Sequence, residues 1–479
     1  MGTCEMCSTG GSWSVLIKPT HGCNFNCKYC YDAPYRQKYK NTTMSMETLN
    51  EILKRAAAYA DSLQLIWHGG EPLLVGKQWY EDAQKVIAMY PELDVEQSMQ
   101  SNGSLLDREW AELSNKYNID IGVSFDGPHQ SVRDSRYEEV EASIKEFRGA
   151  GGKCGFICVI NHENYDSMIE TYEYFKTDMK SNISFNRVFD TIEARNNGLN
   201  IEVDDYLEKF REFYEYWAYD VNGVEERTVI EFTNHLFGLG TGICSFGDCR
   251  GKWLGFNPVG DIYPCDRYVP DKYKVGNIRD FSTVQDAYAS DSYMEYYDEN
   301  TIRMLECIEC DYFNTCGGGC NANHITYAGD ASKNDPKHCE TYKKSFRDVY
   351  EFWREIDLED RRFNLIVSDI IIDNDLFVPK EIVEMVHEID PDIEIKYDSD
   401  VDNLQKSSEF KLFRLVNPIT KTGMPGEYHI DYISKEIPIS VMKEDPKIFT
   451  VVKEAREKFL REFVKSNIDK IREIASEGV

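Results

Sequence analysis

The chain lacks the features of a membrane protein, a secreted protein or a nucleic-acid-binding protein. No apolar run approaches the roughly 18–20 residues that span a bilayer. The first residues, Met1 to Cys4, do not form a basic region followed by an apolar one, as in a signal peptide. Basic residues are scarce, because 54 Lys and Arg face 84 Asp and Glu and give a formal net charge of −30. This balance argues against nucleic acid, and we expect a cytoplasmic protein with no membrane contact.

The charge and the length set two further bounds. An acidic chain suits a cationic peptide partner, and equally suits plain solubility. At 479 residues the chain is too long for a single hydrophobic core, which predicts two or three domains.

Fifteen cysteines are present, and their clustering in a cytoplasmic chain points to metal rather than to disulfides. Cys23, Cys27 and Cys30 follow a short apolar run. Three thiolates can hold three irons of a 4Fe–4S cluster and leave the fourth iron for a ligand that is not protein. The alternative is a structural zinc site, which needs four protein ligands. No fourth Cys or His follows Cys30 at a usual spacing, and His21 lies inside the same tight loop.

From residue 14 to about 235, short apolar runs alternate with helical patterns. The predicted strands are 15–19, 63–67, 96–100, 119–125, 153–160 and 183–188. The predicted helices are 45–60, capped by Ser45, then 78–90, one opened by Asp107, 137–149, 165–176 and 204–219. Six β–α units predict an α/β fold with a parallel sheet. Functional residues are then expected at the carboxyl ends of the strands.

The cysteine spacing, with Tyr29 directly before the last Cys, resembles the signature of the radical S-adenosylmethionine (SAM) superfamily. The resemblance implies a partial (β/α)6 TIM-type barrel that is open on one side. It also implies that the open iron binds SAM, and that a 5′-deoxyadenosyl radical then abstracts a hydrogen from substrate. Family motifs suggest SAM-binding residues at the ends of strands two and four. These candidates are Tyr29, Gly69, Gly70, Glu71, Ser124 and Arg136. Glu71 would accept from the ammonium group, Ser124 or Arg136 would meet the carboxylate, and Tyr29 would line the adenine or be a core aromatic.

A second cysteine array resembles the SPASM domain, which holds two auxiliary 4Fe–4S clusters. The resemblance assigns the inner cluster to Cys244, Cys249, Cys265 and Cys320. It assigns the outer cluster to Cys307, Cys310, Cys316 and Cys339. Two zinc ribbons are the alternative. With the first group, the expected cofactors are three 4Fe–4S clusters and SAM. Of the other cysteines, Cys154 and Cys158 are expected to pack in the core, whereas Cys4 and Cys7 lie in an N-terminal tail of residues 1–11.

Residues 12–350 are most similar to anaerobic sulfatase-maturating enzymes and related SPASM peptide maturases. In the sulfatase-maturating family, the Asp that follows the cysteine at the position of Cys265 is the proposed base. Asp266 occupies that place. The alternative is that Asp266 only supports the cluster ligand Cys265. The expected domains are a radical SAM barrel over 12–235 and a SPASM domain over 236–350. The expected partners are a peptide or protein substrate and a reductant such as flavodoxin or ferredoxin.

The C-terminal residues, 351–479, depart from the sulfatase-maturating pattern. Strands are predicted over 363–367, 370–372, 393–397 and 411–416, and helices after Pro379 and over 446–475. A small α/β module of this kind suits substrate or leader binding. We therefore expect a maturase that installs a thioether or another crosslink in a ribosomally made peptide. The alternatives are oxidation of Ser or Cys to formylglycine in sulfatases, a radical enzyme acting on a small molecule, and a non-catalytic Fe–S protein.

Overall fold

The computed structural model describes most of the chain up to residue 355 and a short part beyond it. The described residues are 11–39, 41–133, 136–220, 223–236, 243–247, 249–267, 271–307, 310, 312–355 and 380–393, with the single positions 461, 465, 468, 469 and 472. Structural statements below refer to these residues.

Six parallel strands form the main part of one sheet. They are β1 (Ser12–Thr20), β2 (Ser62–Gly69), β3 (Asp94–Ser101), β4 (Ile119–Ser124), β5 (Cys154–Ile160) and β6 (Ile183–Arg187). Each strand pairs in parallel with the next along the chain. The predicted α/β barrel sheet is therefore confirmed, and each predicted strand differs by at most three residues at either end.

The sheet continues beyond the six predicted strands. The additional strands are β7 (Trp253–Phe256), β8 (Asp261–Tyr263) and β9 (Gly276–Asn277). The order across the sheet is β6-β5-β4-β3-β2-β1-β7-β8-β9. Strand β7 runs parallel to β1, with Ser14 opposite Trp253, and β8 returns antiparallel. The expected SPASM domain thus begins as an extension of the barrel sheet, and β1 is paired on both sides.

Helices connect the strands much as the sequence predicts. In the first half they are α1 (Ala33–Lys38), α2 (Met46–Ala57), α3 (Lys77–Ile87), α4 (Arg108–Tyr117), α5 (Tyr137–Gly149), α6 (Met168–Tyr174), α7 (Ile192–Asn196), α8 (Val203–Tyr219) and α9 (Arg227–Leu236). The predicted caps are confirmed: Ser45 accepts from the backbone N–H of Thr48, and Asp107 accepts from that of Trp110. The predicted helix over 165–176 is instead broken into a 3₁₀ turn, α6 and a π-helical turn.

The cysteine-rich half is mainly helical. Its helices are α10 (Val284–Tyr288), α11 (Asp291–Cys307), α12 (Phe313–Cys316), α13 (Asn321–Ala328) and α14 (Pro336–Glu355). Helix α14 packs against α8 and α9 of the barrel, and Lys344 pairs with Asp204 at 2.6 Å. The same contact region carries a hydrogen bond from Arg187 to the Thr341 hydroxyl. The two halves therefore share an interface in addition to the shared sheet.

Most of the predicted C-terminal strands lie outside the described residues. Helix α15 (Lys380–Ile389) begins directly after Pro379, as predicted. Isolated helical positions of the predicted last helix are described, and Arg472 pairs there with Asp390 at 2.5 Å. No helix among the described residues is long and apolar enough to cross a membrane.

The aromatic side chains behind β2 provide a direct test of the packing. Trp67 is fully buried, and its ring meets those of Trp79 and Tyr80 edge to face at 5.5 Å. Replacing Trp67 with Ala should lower the free energy of unfolding by about 3–5 kcal/mol, because a large cavity is left in a close-packed core. Urea unfolding followed by circular dichroism measures the change. Met89→Ala, at an exposed position, is the control and should change stability by about 0.5 kcal/mol or less. An equal effect of the two substitutions would contradict this description of the core.

Candidate active site

The loop after β1 carries the first three cysteines and is held by side chains from outside it. Arg36 donates to the carbonyl of Phe25 at 2.6 Å, and Arg136 donates to that of Asn24 at 3.0 Å. The Arg136 guanidinium also lies over the Phe25 ring at 4.7 Å. These contacts fix the backbone between Cys23 and Cys27. Arg136, a candidate for the SAM carboxylate, therefore braces the cluster loop in this structure.

Gly69 and Gly70 bring the end of β2 against this loop. A Cβ on Gly70 would lie 2.2 Å from the Gly22 carbonyl oxygen, and one on Gly69 would lie 2.4 Å from that of Thr20. Gly69 also has φ +127°, a region that L side chains rarely adopt. The two glycines therefore allow direct backbone contact, and the N–H of Glu71 donates to the Gly22 carbonyl at 2.7 Å.

The Glu71 side chain joins the ends of β2 and β3. Its carboxylate is fully buried and accepts from the backbone N–H groups of Leu73 and Asn102 and from the Ser101 hydroxyl, at 2.7–3.0 Å. Burial raises the pKa of Glu71 to about 7, although these donors oppose it. Three protein donors thus bind the carboxylate, two on Oε1 and one on Oε2, and they leave about one acceptor site on Oε2.

The other SAM candidates lie along the same side of the sheet. The Ser124 hydroxyl accepts from the Gln100 amide at 2.8 Å at the end of β4. The Tyr29 hydroxyl donates to Asp126 at 3.1 Å, and the Arg133 guanidinium lies 5.5 Å from the Tyr29 ring. The Tyr29 side chain therefore links the cysteine loop to the segment after β4, and its contact with SAM stays a prediction.

Asp266 lies where the cysteine loop, β2 and the auxiliary cysteines meet. Its Oδ2 accepts from the Tyr31 hydroxyl at 2.7 Å and is 3.7 Å from His68 Nδ1. Its backbone carbonyl accepts from Lys18 Nζ at 2.9 Å. The thiol of the adjacent Cys265 lies 3.5 Å from Oδ1. Although burial acts to raise the pKa of Asp266, the charges and donors around it hold that pKa below its ordinary value.

His68 is a neutral neighbour of this carboxylate. Its Nδ1 accepts from the backbone N–H of Gly69 at 2.8 Å, so the proton of the neutral ring lies on Nε2. Burial lowers the pKa of His68, which favours the uncharged ring. The 3.7 Å approach to Asp266 is therefore not an ion pair, and the Tyr31 hydroxyl is the side chain that donates to the carboxylate.

A buried ion pair lies behind Asp266. Lys18 Nζ donates to Asp32 Oδ1 at 2.8 Å, and His21 Nδ1 lies 2.8 Å from Asp32 Oδ2. Burial would raise the pKa of Asp32, but Lys18 and His21 outweigh it and lower the pKa to about 2. Asp32 is consequently ionised across the physiological range and balances the Lys18 ammonium.

The structure brings the auxiliary cysteines together in two groups. In the outer group, burial together with the neighbouring thiols of Cys307, Cys339 and Cys310 raises the pKa of Cys316 to about 12. In the inner group the same mutual effect joins Cys244, Cys265 and Cys320. Cys249 is linked to this group through Asn321, whose Nδ2 donates to its sulfur at 3.7 Å. The assignment of these cysteines to two auxiliary clusters stays a prediction.

These thiols and glycines fit iron–sulfur clusters and SAM. Buried thiols of raised pKa are protonated and unreactive, and a metal is what converts such groups to thiolates. Among the described residues no three His, Cys, Asp or Glu side chains form a ready-made site for a single ion. A 4Fe–4S cluster presents its irons to separate thiolates, whereas a zinc ribbon surrounds one ion with four ligands. The backbone exposed at Gly69 and Gly70 suits a bound small molecule.

Sequence reasoning assigned no role to four residues around Asp266. Lys18, Tyr31 and His68 contact it directly, and Arg267 donates to the sulfur of Cys320 while lying over the Phe189 ring. Each carried a local signal. Lys18 interrupts an apolar strand, Tyr31 follows the last cysteine of the loop, and His68 precedes the two glycines. Only the folded chain shows that they surround one carboxylate.

Two protein-family models match this arrangement. The Radical SAM superfamily model matches residues 17–175, and the model for SPASM, an iron-sulfur cluster-binding domain, matches residues 244–311. The chain therefore contains a radical SAM domain followed by a SPASM domain, and both expectations are confirmed.

Several relatives carry the name expected from the sequence. A cysteine-type anaerobic sulfatase-maturating enzyme of Clostridium perfringens is 26% identical over an alignment of 362 residues, which covers 71% of this chain and 95% of that protein. A serine-type enzyme of Bacteroides thetaiotaomicron is 26% identical over 376 residues, covering 70% of this chain and 89% of that protein. The solved structure of native anSMEcpe with bound AdoMet and Cp18Cys peptide is 25% identical, with a TM-score of 0.62, and covers 75% of this chain and 100% of that chain. The chain is thus a radical SAM enzyme related to sulfatase-maturating enzymes.

The contact between Gly70 and the cysteine loop can be tested directly. Gly70→Ala places a Cβ 2.2 Å from the Gly22 carbonyl and forces the loop away from β2. SAM cleavage, measured as 5′-deoxyadenosine released after reduction, should fall by about a hundredfold, the scale expected for a displacement of roughly 1 Å. Gly155→Ala, where the new Cβ meets nothing within 4 Å, is the matched control. Normal cleavage by Gly70→Ala would show that the close contact has no functional role.

Proposed function

We propose that this radical SAM enzyme oxidises a Ser or Cys side chain of a peptide or protein substrate, with Asp266 as the base. The observation that carries the proposal is the position of the Asp266 carboxylate. It lies beside the ligand Cys265 on one side and beside the radical SAM loop on the other, through Tyr31. A proton acceptor at this point is within reach of both the hydrogen-abstracting site and the inner auxiliary group.

The oxidation removes one hydrogen atom, one proton and one electron from the substrate side chain. When bound, SAM and the clusters supply the radical that takes the hydrogen atom and the acceptor that takes the electron. Asp266 takes the proton of the hydroxyl or thiol, and the Tyr31 donor orients its Oδ2. From Ser the product is an aldehyde. From Cys it is a thioaldehyde, which water converts to the same aldehyde with release of hydrogen sulfide.

Lys18 and His68 hold this base in place. Lys18 fixes the backbone of Asp266 through its carbonyl. His68, neutral and bonded to Gly69, stands beside the carboxylate without neutralising it. The carboxylate is only 10% exposed, which limits competition from water. The arrangement keeps an ionised acceptor in an enclosed position.

A second candidate is a crosslink, such as a thioether, in a ribosomally made peptide, the first expectation from the sequence. One observation favours it: the Clostridium perfringens relative is matched over 95% of its own length but over only 71% of this chain. The additional residues of this chain have no counterpart in the alignment with this relative, and in this second candidate function they would contact the substrate. Mass spectrometry of candidate substrates separates the two reactions. An aldehyde reacts with a hydrazide probe, whereas a crosslink does not and alters the fragmentation pattern.

We expect three 4Fe–4S clusters, about twelve irons per chain, after anaerobic reconstitution. The basis is one group of three cysteines and two groups of four. Replacing Cys23, Cys27 and Cys30 with Ala should leave about eight irons and abolish 5′-deoxyadenosine formation. The control replaces Cys154, which the clusters do not use, and should retain all twelve. About eight irons in the unaltered protein would contradict one auxiliary cluster, and SAM cleavage by the triple variant would contradict the central assignment.

The role of Asp266 is tested by Asp266→Asn, which keeps the size of the side chain and removes the proton acceptor. Product should fall by about two to four orders of magnitude, the usual range for a positioned acid–base group. Iron content and SAM cleavage should persist, and deuterium from a labelled substrate should still appear in 5′-deoxyadenosine. Asp261→Asn is the control, because that carboxylate faces Lys274 and Asn277 instead. An unchanged product yield in Asp266→Asn would show that Asp266 is not the base. Loss of the inner cluster in this variant would show that Asp266 has a structural role instead.

A further inference from the structure

A buried guanidinium lies at the centre of the auxiliary domain. Arg303 is 0% exposed and is carried by α11. Its Nη1 donates to the Gly318 carbonyl and, at 3.3 Å, to Asn334 Oδ1. Its Nη2 donates to Asn321 Oδ1 at 2.6 Å and to Asn300 Oδ1 at 3.4 Å. All four acceptors are neutral, so none of these contacts supplies the negative charge that a buried cation needs.

The Nε–H group of Arg303 is the donor that still lacks an acceptor. Its Nε is buried and has no acceptor among the described residues. The first of the outer cysteines, Cys307, is carried by the same helix, α11. The Cys307 thiol, one helical turn later, lies 3.7 Å from the Arg303 carbonyl. An anionic cluster on the outer cysteine sulfurs would satisfy both the free N–H and the unbalanced charge.

Arg303 also holds the turn that joins the two cysteine groups. Gly317, Gly318 and Gly319 all have positive φ, from 59° to 84°, and connect Cys316 of the outer group to Cys320 of the inner group. Only glycine adopts three such conformations in succession without strain. The hydrogen bond from Arg303 to the Gly318 carbonyl fixes the middle of this turn.

The same network reaches the inner group through one amide. Asn321 accepts from Arg303 with its oxygen and donates with its nitrogen to the Cys249 sulfur at 3.7 Å and to the Tyr296 hydroxyl at 2.8 Å. On the other side, Asn334 accepts from Arg303 and from the Cys307 thiol at 3.6 Å. Arg303 is therefore hydrogen-bonded to residues that contact ligands of both groups.

We propose that Arg303 is a positioning residue of the outer auxiliary cluster, donating Nε–H to a sulfur of that cluster and raising its reduction potential. The inference rests on the proposed function, because it requires a cluster on the outer cysteines. Reduction adds one negative charge to a cluster, and a buried cation stabilises that charge. Arg303 thereby favours transfer of an electron to the outer auxiliary cluster.

Potentiometry monitored by electron paramagnetic resonance on the reconstituted full chain tests this role. Arg303→Met removes the cation and keeps the length of the side chain. Asn334→Asp keeps Arg303 and places a carboxylate on its existing hydrogen-bond acceptor. In each variant the equilibrium constant for reducing the outer cluster should fall at least about tenfold, which is about 59 mV for one electron. Arg148→Met is the control: it removes a barrel guanidinium bonded to the Met179 carbonyl and should leave every potential unchanged.

The outcomes separate this inference from the cofactor proposal. About eight irons in the unaltered protein would mean that one auxiliary cluster is absent and would contradict the cofactor proposal on which this inference rests. Twelve irons with an unchanged outer potential in both variants would overturn the role of Arg303 alone. If Arg303→Met fails to hold the outer cluster, Asn334→Asp decides: a lowered potential supports the role and an unchanged one overturns it. A shift of the same size in Arg148→Met would show that the effect is not specific to Arg303.

Discussion

The Lys18 ammonium is the group on which the site depends. It is buried within the sheet at the end of β1, where a cation is tolerated only if it is paired and hydrogen-bonded. Its two acceptors are the Asp32 carboxylate and the Asp266 carbonyl, at 2.8 and 2.9 Å. Asp32 follows the radical SAM cysteines, and Asp266 follows an auxiliary cysteine. Satisfying one buried charge therefore fixes the two cysteine-bearing segments relative to each other.

The strands and helices were predictable from the sequence, because the local pattern of apolar and capping residues determines them. Alternation and capping located six strands and their helices, because half-buried elements impose a period and Ser45 and Asp107 mark helix starts. Cysteine grouping followed from spacing and resemblance. The pairing of β7 with β1 was not predictable, because burial periodicity shows that a strand is covered and does not identify its neighbour. The three protein donors to Glu71 were likewise not predictable, because they come from backbone and side chains that converge only in the fold.

The position of Asp266 in the fold was also not predictable from the local sequence pattern. The other candidate residues follow parallel strands and reach one edge of the sheet, as a barrel predicts. Asp266 instead follows the antiparallel strand β8 and crosses β7 at Gly255, where a Cβ would lie 3.2 Å from the Asp266 nitrogen. A side chain at residue 255 would crowd this crossing, and the backbone at Asp266 would have to shift to admit it. A single glycine thus allows a residue from the auxiliary domain to reach the barrel, and nothing in the local pattern around residue 255 indicates it.

The protein is acidic overall, but positively charged side chains lie close to its cysteine groups. The chain carries a net −30, yet an arginine accompanies each cysteine group: Arg133 near Cys27, Arg267 at Cys320 and Arg303 near Cys307. Arginine suits these places because burial does not deprotonate it. The first two share their charge with a carboxylate, Asp126 and Asp266 respectively, whereas Arg303 bonds only to neutral oxygens. The uncompensated positive charge is therefore greatest at the outer group. An electron leaving the substrate would be stabilised most there, away from the acidic base that has just accepted a proton.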